Sequence, residues 1–517
     1  MDARFHAPGP GARLLRNDPH DDALLANVHP AGWTNPEPQG RYNLVVIGAG
    51  TAGLVTAAGA AGLGARVALI ERNLMGGDCL NVGCVPSKAT LRASHVAADL
   101  RRAREFGALL PASGAADFGA AMERMRRIRA RISRHDSARR FRDDLGVDVF
   151  LGQGRFLDSE RIAVGNKILR FKKAVVATGA RPSHPPIPGL EDAGFLTNET
   201  VFTLTELPRR IAVIGAGPIG SELAQCFRRF GAEVHIFEPA PHLLPREDED
   251  AAAIVQKSFL ADGVQLHLGT EVTGVERRGP ERIVRFAAVG AAGEVAVDEI
   301  LVGVGRAPNL DGLGLQEVGV AHDLRTGVQV DDTLRTTNPR IYAAGDVCMA
   351  WKFTHAADFA ARIVIQNALF GAISPKKKLS SLVMPWCTYT DPEVAHVGLY
   401  EREARARGIE VATFQVAFSD VDRAITDGEE DGFVKLHVKK GTDQIVGATI
   451  VAKHAGDLIS EVTLAMNAKV GLGRLASVIH PYPTQAEALR KAGDAFNRTR
   501  LTPTVKRLFS TWLRWTR

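Results

Sequence analysis

Two glycine-rich segments of the same form lie far apart in this chain. Each reads Gly-x-Gly-x-x-Gly, at 48–53 and at 215–220, and each follows an apolar run that is typical of a buried strand. A helix-forming segment comes next, and then a second apolar run that ends in an acid, Glu71 or Glu238. A strand, a glycine loop and a helix in this order place a helix N-terminus against a pyrophosphate, while the acid binds ribose hydroxyls. The chain is therefore predicted to contain two separate βαβ units, each of which binds a dinucleotide.

The candidate nucleotide-binding residues of each unit are its three glycines and its acid. They are Gly48, Gly50, Gly53 and Glu71 in the first unit, and Gly215, Gly217, Gly220 and Glu238 in the second. A carboxylate at Glu238 repels a 2′-phosphate, so NAD(H) is favoured over NADP(H) in the second unit. Arg246 is close enough in sequence to leave NADP(H) open.

A pair of cysteines, Cys79 and Cys84, follows the first unit within the glycine-containing run 76–88. In an ideal α-helix, residues five apart are turned by roughly 140° and lie about 8–9 Å apart. A disulfide needs Cα atoms about 4.4–6.8 Å apart, so the segment must be distorted where the cysteines meet. Pro86 suits the first turn of a helix that starts after the pair. A strained disulfide is easily reduced, as a redox-active one should be. The alternatives are two buried, inert thiols or a metal pair, but zinc needs four ligands and the chain has no second cysteine pair.

Composition and charge restrict the class of protein. A chain of 517 residues with 45% hydrophobic and 24% charged residues is expected to form several globular domains. The net charge of +6 comes from scattered basic residues, which are densest at 122–142. Sparse apolar residues there predict a solvated helix, and no motif that reads nucleic acid accompanies it. Five cysteines and the lack of a secretory signal indicate the reducing cytoplasm. No run of eighteen apolar residues exists, so no segment is predicted to cross a bilayer.

Further segments complete the predicted organisation. Apolar runs that end in Ala-Thr-Gly and in Gly-Asp offer a second set of candidate nucleotide contacts: Thr178, Gly179, Gly345 and Asp346. After residue 375, short β-like runs precede helices, which is typical of an α+β domain. The predicted parts are an irregular arm (1–40), a nucleotide-binding domain in two pieces (41–190 and 306–374), a second nucleotide-binding domain (191–305), an α+β domain (375–500) and a basic amphipathic tail (501–517).

The order of these motifs resembles one known family. A glycine loop, Cys-x₄-Cys, Ala-Thr-Gly, a second glycine loop, Gly-Arg-Ala-Pro-Asn at 305–309 and Gly-Asp recur in the FAD-dependent pyridine nucleotide–disulfide oxidoreductases. That family includes glutathione reductase, dihydrolipoamide dehydrogenase and mercuric reductase, and the resemblance covers residues 41–497. It implies an α/β fold with two Rossmann-like dinucleotide-binding domains, one for FAD and one for NAD(P), plus a C-terminal α+β dimerisation domain.

The resemblance also implies roles for individual residues. The first loop, with Glu71, Thr178, Gly179 and Asp346, would bind FAD, and the second loop, with Glu238, would bind the nicotinamide nucleotide. Gly305 and Gly345 are further candidate cofactor-binding residues. Cys84 would face the flavin as the charge-transfer thiol, and Cys79 would be the interchange thiol that meets the substrate. Lys88 and Glu222 would form the ion pair beside the isoalloxazine. Electrons would pass from NAD(P)H through FAD and the Cys79–Cys84 disulfide to a disulfide or dithiol substrate or a soft, thiol-bound metal ion.

The active-site base departs from the family's usual pattern. That pattern is His-Pro-Thr with a glutamate five residues after the histidine, whereas this chain has Tyr482 before Pro-Thr, with Glu487 kept. His480 is the alternative base, two residues earlier. Mercuric reductases carry a tyrosine in this region, but the vicinal C-terminal cysteines and the N-terminal Cys-x-x-Cys motif of that enzyme are missing from this sequence. The expected assembly is a homodimer in which Tyr482 and Glu487 of one subunit approach Cys79 of the other.

The basic tail, 502–517, has its apolar residues on one helical face: Val505, Leu508, Phe509, Trp512 and Leu513. Packing onto the protein's own domain is the favoured interpretation, and weak contact with the inner face of the membrane is the alternative. Two other functions stay open. One is a flavin-dependent quinone reductase with a vestigial disulfide, and the other is a non-catalytic flavoprotein that senses nucleotides. No metal site is predicted.

Overall fold

The computed structural model describes residues 14–15, 17–109, 116–288 and 290–517. It contains two compact units, residues 1–239 with 265–382 and residues 240–264 with 383–517. The predicted α/β architecture is confirmed. Among the described residues, no helix has both the length and the apolar character that crossing a bilayer requires.

The strands and helices are numbered in chain order. The strands are β1 (Arg41–Ile47), β2 (Val67–Glu71), β3 (Asp148–Leu151), β4 (Gly154–Asp158), β5 (Arg161–Val164), β6 (Lys167–Val176), β7 (Ala180–Pro182), β8 (Arg210–Ile214), β9 (Glu233–Glu238), β10 (Gln265–Leu268), β11 (Thr270–Arg278), β12 (Glu281–Ala288), β13 (Ala291–Val297), β14 (Glu299–Val302), β15 (Arg306–Pro308), β16 (His322–Asp323), β17 (Gly327–Val328), β18 (Ile341–Ala343), β19 (Pro385–Thr388), β20 (Glu393–Gly398), β21 (Val411–Ala417), β22 (Phe433–Lys439) and β23 (Ile445–Ala452). The α-helices are α1 (Pro19–Val28), α2 (Thr51–Gly62), α3 (Gly77–Asn81), α4 (Cys84–Arg102), α5 (Phe118–Ile132), α6 (Ala138–Asp143), α7 (Leu190–Ala193), α8 (Pro218–Phe230), α9 (Glu249–Asp262), α10 (Thr354–Phe370), α11 (Glu401–Ala406), α12 (Asp422–Asp427), α13 (Ala455–Asn467), α14 (Leu472–Leu475), α15 (Glu487–Thr499) and α16 (Pro503–Trp515). Short 3₁₀ helices cover Ala103–Phe106, Ser133–Asp136, Val201–Thr203, Leu379–Ser381 and Phe418–Asp420.

The first sheet is Rossmann-like. Its parallel strands have the order β3-β2-β1-β6, and β18 runs beside the C-terminal half of β6. Antiparallel β5 pairs with the N-terminal half of β6, and β4 pairs with β5. Because the parallel strands share a direction, their carboxyl ends meet at one edge, where nucleotides bind in folds of this kind. The first βαβ prediction is confirmed, although α2 begins at Thr51, directly after the second glycine of the loop.

The second sheet repeats this plan with the parallel order β10-β9-β8-β14. An antiparallel meander, β11-β12-β13, contributes Val275, Val284 and Val297 to the apolar core that this sheet shares. The second βαβ prediction is confirmed as well, with α8 running from Pro218 to Phe230.

The second unit holds a five-stranded antiparallel sheet in the order β19-β20-β23-β22-β21. Residues from α13 and α15 pack with this sheet in one apolar core, which includes Ile459, Val462 and Leu489. This arrangement is the predicted α+β domain.

Two expectations for the N-terminal region are wrong. The arm was expected to be irregular, but its residues 19–28 form α1, which Asp18 caps through bonds from two backbone amides. The basic stretch was expected to be a solvated helix, but Arg126 and Arg129 on α5 are buried. Both arginines form ion pairs with acids of the arm, so their charges point inward. Residues 1–13 and 16 of the arm lie outside the described residues.

The tail forms the expected amphipathic helix, α16, whose start is capped by Thr502. The favoured interpretation, packing on its own domain, is wrong for the single chain, because α16 contains no buried residue. Leu508 is 68% exposed and Trp512 is 64% exposed.

Candidate redox-active site

The cysteine segment is two helices rather than one. Helix α3 ends at Asn81, Val82 and Gly83 leave the helical conformation, and α4 begins at Cys84. A Cβ on Gly83 would stand 2.7 Å from the carbonyl oxygen of Asp78, so only glycine permits this close turn. The predicted distortion is thus present, but α4 begins at the second cysteine and not after it.

The two thiols share one proton unequally. Both cysteines are unbonded, and Cys84 is the more exposed of the two. A hydrogen bond from the Cys79 thiol is the main cause that lowers the pKa of Cys84 to about 6. The same hydrogen bond, together with burial, raises the pKa of Cys79 above its usual range. At neutral pH the dithiol therefore carries its negative charge on Cys84 and its proton on Cys79.

Thr354 also stabilises the charged form of Cys84. Its Oγ1 lies 3.4 Å from the Cys84 sulfur, and this contact lowers the pKa of the thiol. Thr354 is the first residue of α10, whose N-terminus carries a partial positive charge. Sequence reasoning missed this residue, because no motif marks it and 270 positions separate it from the cysteine.

Lys88 and Glu222 form an ion pair between α4 and α8. The Lys88 ammonium lies 2.7 Å from a carboxylate oxygen of Glu222, with side chains 35% and 6% exposed. The lysine lowers and the glutamate raises the pKa of Cys84, so both groups act on the thiol. The structure thus brings Cys79, Cys84, Lys88 and Glu222 into one cluster.

The first glycine loop is tightly packed at its third glycine and open at its second. Gly48 has a φ of +103°, and a Cβ on Gly53 would stand 1.7 Å from the Gly48 carbonyl oxygen. A Cβ on Gly50 would meet no atom closer than 3.7 Å. Glu71 accepts a bond of 2.7 Å from the Ala49 amide, which fixes the loop. Burial raises the pKa of the Glu71 carboxyl.

The second loop has the same geometry. A Cβ on Gly220 would stand 2.0 Å from the Gly215 carbonyl oxygen, whereas a Cβ on Gly217 would meet nothing within 4 Å. Glu238 accepts a bond of 2.7 Å from the Ala216 amide. In both loops the open side of the second glycine is a cradle that fits a pyrophosphate at a helix N-terminus.

The remaining predicted contacts meet at the carboxyl edge of the first sheet. The Thr178 hydroxyl donates to the Asn309 carbonyl at 2.7 Å, and the Asn309 amide donates to the Gly179 carbonyl at 3.0 Å. A cleft lined by Gly48, Glu71, Thr178 and Asn309 opens here. The Ala-Thr-Gly motif and the Gly-Arg-Ala-Pro-Asn motif are therefore adjacent, and the pairing of β7 with β15 extends this contact.

Arg306 links this edge to the cysteine segment. Its guanidinium forms ion pairs with Asp78, the neighbour of Cys79, and with Asp346, at 3.3 Å from the latter. Burial raises the pKa of Asp346. Gly305 and Gly345 adopt φ values of +132° and +82°, which glycine tolerates best. The sequence named Arg306 only as part of a motif, and its link to Asp78 was not foreseen.

The candidate bases lie in the second unit. The Tyr482 hydroxyl donates to Asp422 at 2.7 Å, a bond that raises the pKa of the phenol. A ring nitrogen of His480 lies 2.9 Å from a carboxylate oxygen of Glu461. Glu487 binds Arg490 through one oxygen, and its other oxygen is buried without a hydrogen-bond partner among the described residues.

Comparisons with known proteins agree with this arrangement. Residues 42–361 match the family model described as pyridine nucleotide-disulphide oxidoreductase, and residues 384–493 match that of the family's dimerisation domain. The mercuric reductase of Staphylococcus aureus is 34% identical over 459 residues, which are 89% of this chain and 83% of that protein. The dihydrolipoyl dehydrogenase of Thermus scotoductus is 34% identical over 463 residues, which are 88% of this chain and 98% of that protein.

A solved structure shows the same fold. The HOCl-induced flavoprotein disulfide reductase RclA from Escherichia coli matches with a TM-score of 0.77 and 29% identity, covering 87% of this chain and 99% of that chain. The family models match well over half of the residues, in the order in which the two glycine loops, the cysteine pair and the α+β domain occur. The chain belongs to the pyridine nucleotide–disulphide oxidoreductase family.

Proposed function

We propose that the protein is a homodimeric, FAD-dependent NAD(P)H oxidoreductase whose Cys79–Cys84 pair, in its dithiol form, reduces a substrate disulfide or a thiol-bound soft metal ion and is itself oxidised to the disulfide. The observation that carries this proposal is the division of charge in the dithiol. Cys84 holds a negative charge beside Lys88 and Thr354, and Cys79 keeps the proton. This asymmetry suits the two proposed roles: the Cys84 thiolate can donate electron density to a flavin, and the Cys79 thiol can react with the substrate.

The residues of this chain divide the work. The first glycine loop would hold the pyrophosphate of FAD, and the second loop would hold that of the nicotinamide nucleotide. FAD, when bound, supplies two-electron exchange between nicotinamide and sulfur. The Cys79 sulfur, once deprotonated, attacks a substrate disulfide and releases one thiol. Attack by Cys84 then closes the Cys79–Cys84 bond and releases the second product as a thiolate. Two electrons reach the substrate, and the two products take up one proton from Cys79 and one from solvent.

A metal substrate would use the same two electrons. A divalent soft cation bound by both thiolates is reduced to the neutral metal as the Cys79–Cys84 bond forms. Two observations support this class. Relatives at 34% identity are mercuric reductases, and Tyr482 occupies the place of the usual histidine base. The chain's other cysteines, Cys226, Cys348 and Cys387, do not form a vicinal pair.

We also propose NAD(H) as the preferred nicotinamide nucleotide. Glu238 ends β9 at the second glycine loop, where a carboxylate favours ribose hydroxyls over a 2′-phosphate. A comparison of kcat/KM for NADH and NADPH decides this point, and a higher value for NADPH would contradict it.

An anaerobic titration with NADH tests the proposed function. The FAD-containing wild-type protein should develop a long-wavelength thiolate–flavin absorption. Cys84→Ser should abolish this absorption, whereas Cys79→Ser should keep it and lose at least a hundredfold in turnover of lipoamide, glutathione disulfide or Hg(II). Full turnover by both serine variants with a quinone would instead support the quinone reductase. Tight FAD that NADH does not bleach would support a non-catalytic nucleotide sensor.

We propose, finally, that the tail contacts an anionic lipid surface. Residues 499–517 contain no acid, and Lys506, Arg507 and Arg514 accompany the exposed apolar face of α16. Basic amphipathic helices with tryptophan bind such surfaces. The dimer should sediment with vesicles that contain phosphatidylserine but not with phosphatidylcholine vesicles. A protein that ends at residue 501 should not sediment with either, and equal sedimentation of both proteins would contradict the proposal.

A further inference from the structure

Two ion pairs, one partly buried and one fully buried, attach the N-terminal helix α1 and its capping residue to α5. Asp18 binds Arg126 at 2.8 Å, and Asp21 binds Arg129 at 2.6 Å. The second pair is sealed from solvent, with its side chains 1% and 0% exposed. Arg129 also donates a bond of 2.7 Å to the backbone carbonyl of Asn81. Only this second pair therefore reaches the cysteine segment directly.

Asn81 occupies the junction between the two cysteines. It is the last residue of α3, after Cys79, and the non-helical turn that follows it leads to Cys84. Its side-chain amide donates to the carbonyls of Met75 and Gly77 at 3.0 and 2.8 Å. The side chain of Asn81 is thus tied to the start of α3, and its backbone carbonyl is tied to Arg129.

We propose that Asp21 and Arg129 are positioning residues of the redox-active pair, which fix the Asn81 junction and thereby hold the Cys79 thiol against the Cys84 sulfur. A charge-assisted bond from a guanidinium to a carbonyl is strong in a buried site. The buried guanidinium in turn needs the carboxylate of Asp21 to stay charged and in place. The inference rests on the proposed function, because it assigns these two residues to the same cysteine pair.

A displaced Asn81 junction and the mere removal of a charge at Asp21 or Arg129 have different expected effects on the pKa of Cys84. The charged groups that act on the thiols from the packed elements are Lys88, Glu222 and Asp136. Removing the positive charge of Arg129 alone would raise the pKa of Cys84, and removing the negative charge of Asp21 alone would lower it. A loosened junction weakens the hydrogen bond from Cys79, so it raises the pKa of Cys84 in both cases.

The test compares Arg129→Gln and Asp21→Asn with two matched controls. Arg126→Gln removes the parallel, partly buried ion pair without touching Asn81, and Asp22→Asn changes an exposed acid on the same helix. The first readout is the rate at which iodoacetamide alkylates Cys84 in the dithiol protein across pH, mapped by mass spectrometry. The second is the pH midpoint of the thiolate–flavin absorption in the FAD-containing dimer.

We expect both midpoints to rise by about one pH unit, a tenfold change in the thiolate equilibrium, in Arg129→Gln and Asp21→Asn. The controls should keep the wild-type midpoint. A fall in Asp21→Asn, an unchanged midpoint in both variants, or an equal rise in Arg126→Gln would each overturn the proposal. Should Arg129→Gln fail to fold, Arg129→Lys retains the charge but lacks the forked guanidinium, and it should give a smaller rise. A wild-type protein without thiolate–flavin absorption would contradict the proposed function, and alkylation would still decide the positioning role.

Discussion

The charge on Cys84 depends on neighbours from three separate elements. Cys79 donates a hydrogen bond from α3, Thr354 contributes a hydroxyl from α10, and Lys88 adds a positive charge from α4 itself. Burial and Glu222 act in the opposite direction. Since the favourable contacts prevail, the thiol is ionised at neutral pH, and each contact should be measurable as a change in its titration.

Thr354→Val removes one of these contacts at nearly constant volume. We expect the pKa of Cys84, about 6 in the wild type, to rise, because the thiolate loses a hydrogen bond. The thiolate predominates above its pKa and is lost as pH falls through it, so the variant should lose thiolate–flavin absorption at a higher pH. A pH titration of the NADH-reduced protein measures this midpoint.

Thr354→Ser is the matched control, since it keeps the hydroxyl and should keep the midpoint. Equal midpoints in Thr354→Val and the wild type would show that the hydroxyl does not stabilise the thiolate.

Individual site residues were predictable where a motif carried them. The glycines, Cys79 and Cys84 lie within short patterns whose spacing has a physical reason, and the resemblance pointed to Lys88 and Glu222. Thr354 could not be found in this way, because its role depends on a contact across 270 positions. Arg129 was placed on a solvated helix for the same reason, since its partner Asp21 comes from a distant segment.

In the two glycine loops, the first turn of the helix packs directly against the backbone of the loop. In each, the third glycine lies against the carbonyl oxygen of the first, so that α2 and α8 begin directly beneath the strand end. A Cβ added to the third glycine would lie 1.7 Å from this oxygen in the first loop and 2.0 Å from it in the second, far closer than van der Waals contact allows. The backbone must move if either position carries a side chain.

Gly53→Ala tests this packing. We expect a loss of about 1–3 kcal/mol or more in the free energy of unfolding, since the added methyl group collides with backbone. Retained FAD should fall as the loop shifts. Thermal denaturation and the ratio of flavin to protein absorbance measure the two effects.

Gly62→Ala is the control at the other end of the same helix, where a Cβ would meet nothing within 4 Å. It should be neutral or stabilise by about 0.4–1 kcal/mol. A Gly53→Ala protein with wild-type stability and flavin content would contradict the packing argument.

Most elements could be predicted because apolar runs, glycine loops and strand ends mark them locally. Helix α1 was missed because the surrounding arm is polar and rich in proline and glycine, and because Asp21 is buried against an arginine that lies far away in the sequence. A local signal was nevertheless present: Asp18 followed by Pro19 is typical of a helix start. Helix α16 was predicted correctly, but its exposure could not be, because periodicity does not say what covers an apolar face.

Assembly matters for the candidate bases. Tyr482 is 71% exposed, and one oxygen of Glu487 is buried without a hydrogen-bond partner among the described residues. Both lie within the region that matches the family's dimerisation domain. We propose that these two residues complete the site of the partner subunit, next to the partner's Cys79.

Mixing two inactive variants tests this arrangement. Cys79→Ser and Glu487→Gln homodimers should each be nearly inactive. After dissociation and random reassociation, about half of the dimers are mixed, and each mixed dimer has one complete site, so about a quarter of the wild-type turnover should return.

The control for subunit mixing is a pair of Cys79→Ser and Cys84→Ser subunits. These variants damage the same half of the site, and mixing them should restore nothing. Absence of recovery with Cys79→Ser and Glu487→Gln, despite demonstrated exchange of subunits, would place both residues in one subunit's site.

The carboxylates of Glu71 and Glu238 each hold an amide of their own glycine loop. A loop that the protein shapes by itself has little conformational freedom left to lose when a ligand docks, so association is less costly. If the second loop binds the nicotinamide nucleotide as proposed, that nucleotide should enter and leave in every turnover without a rearrangement of the loop backbone.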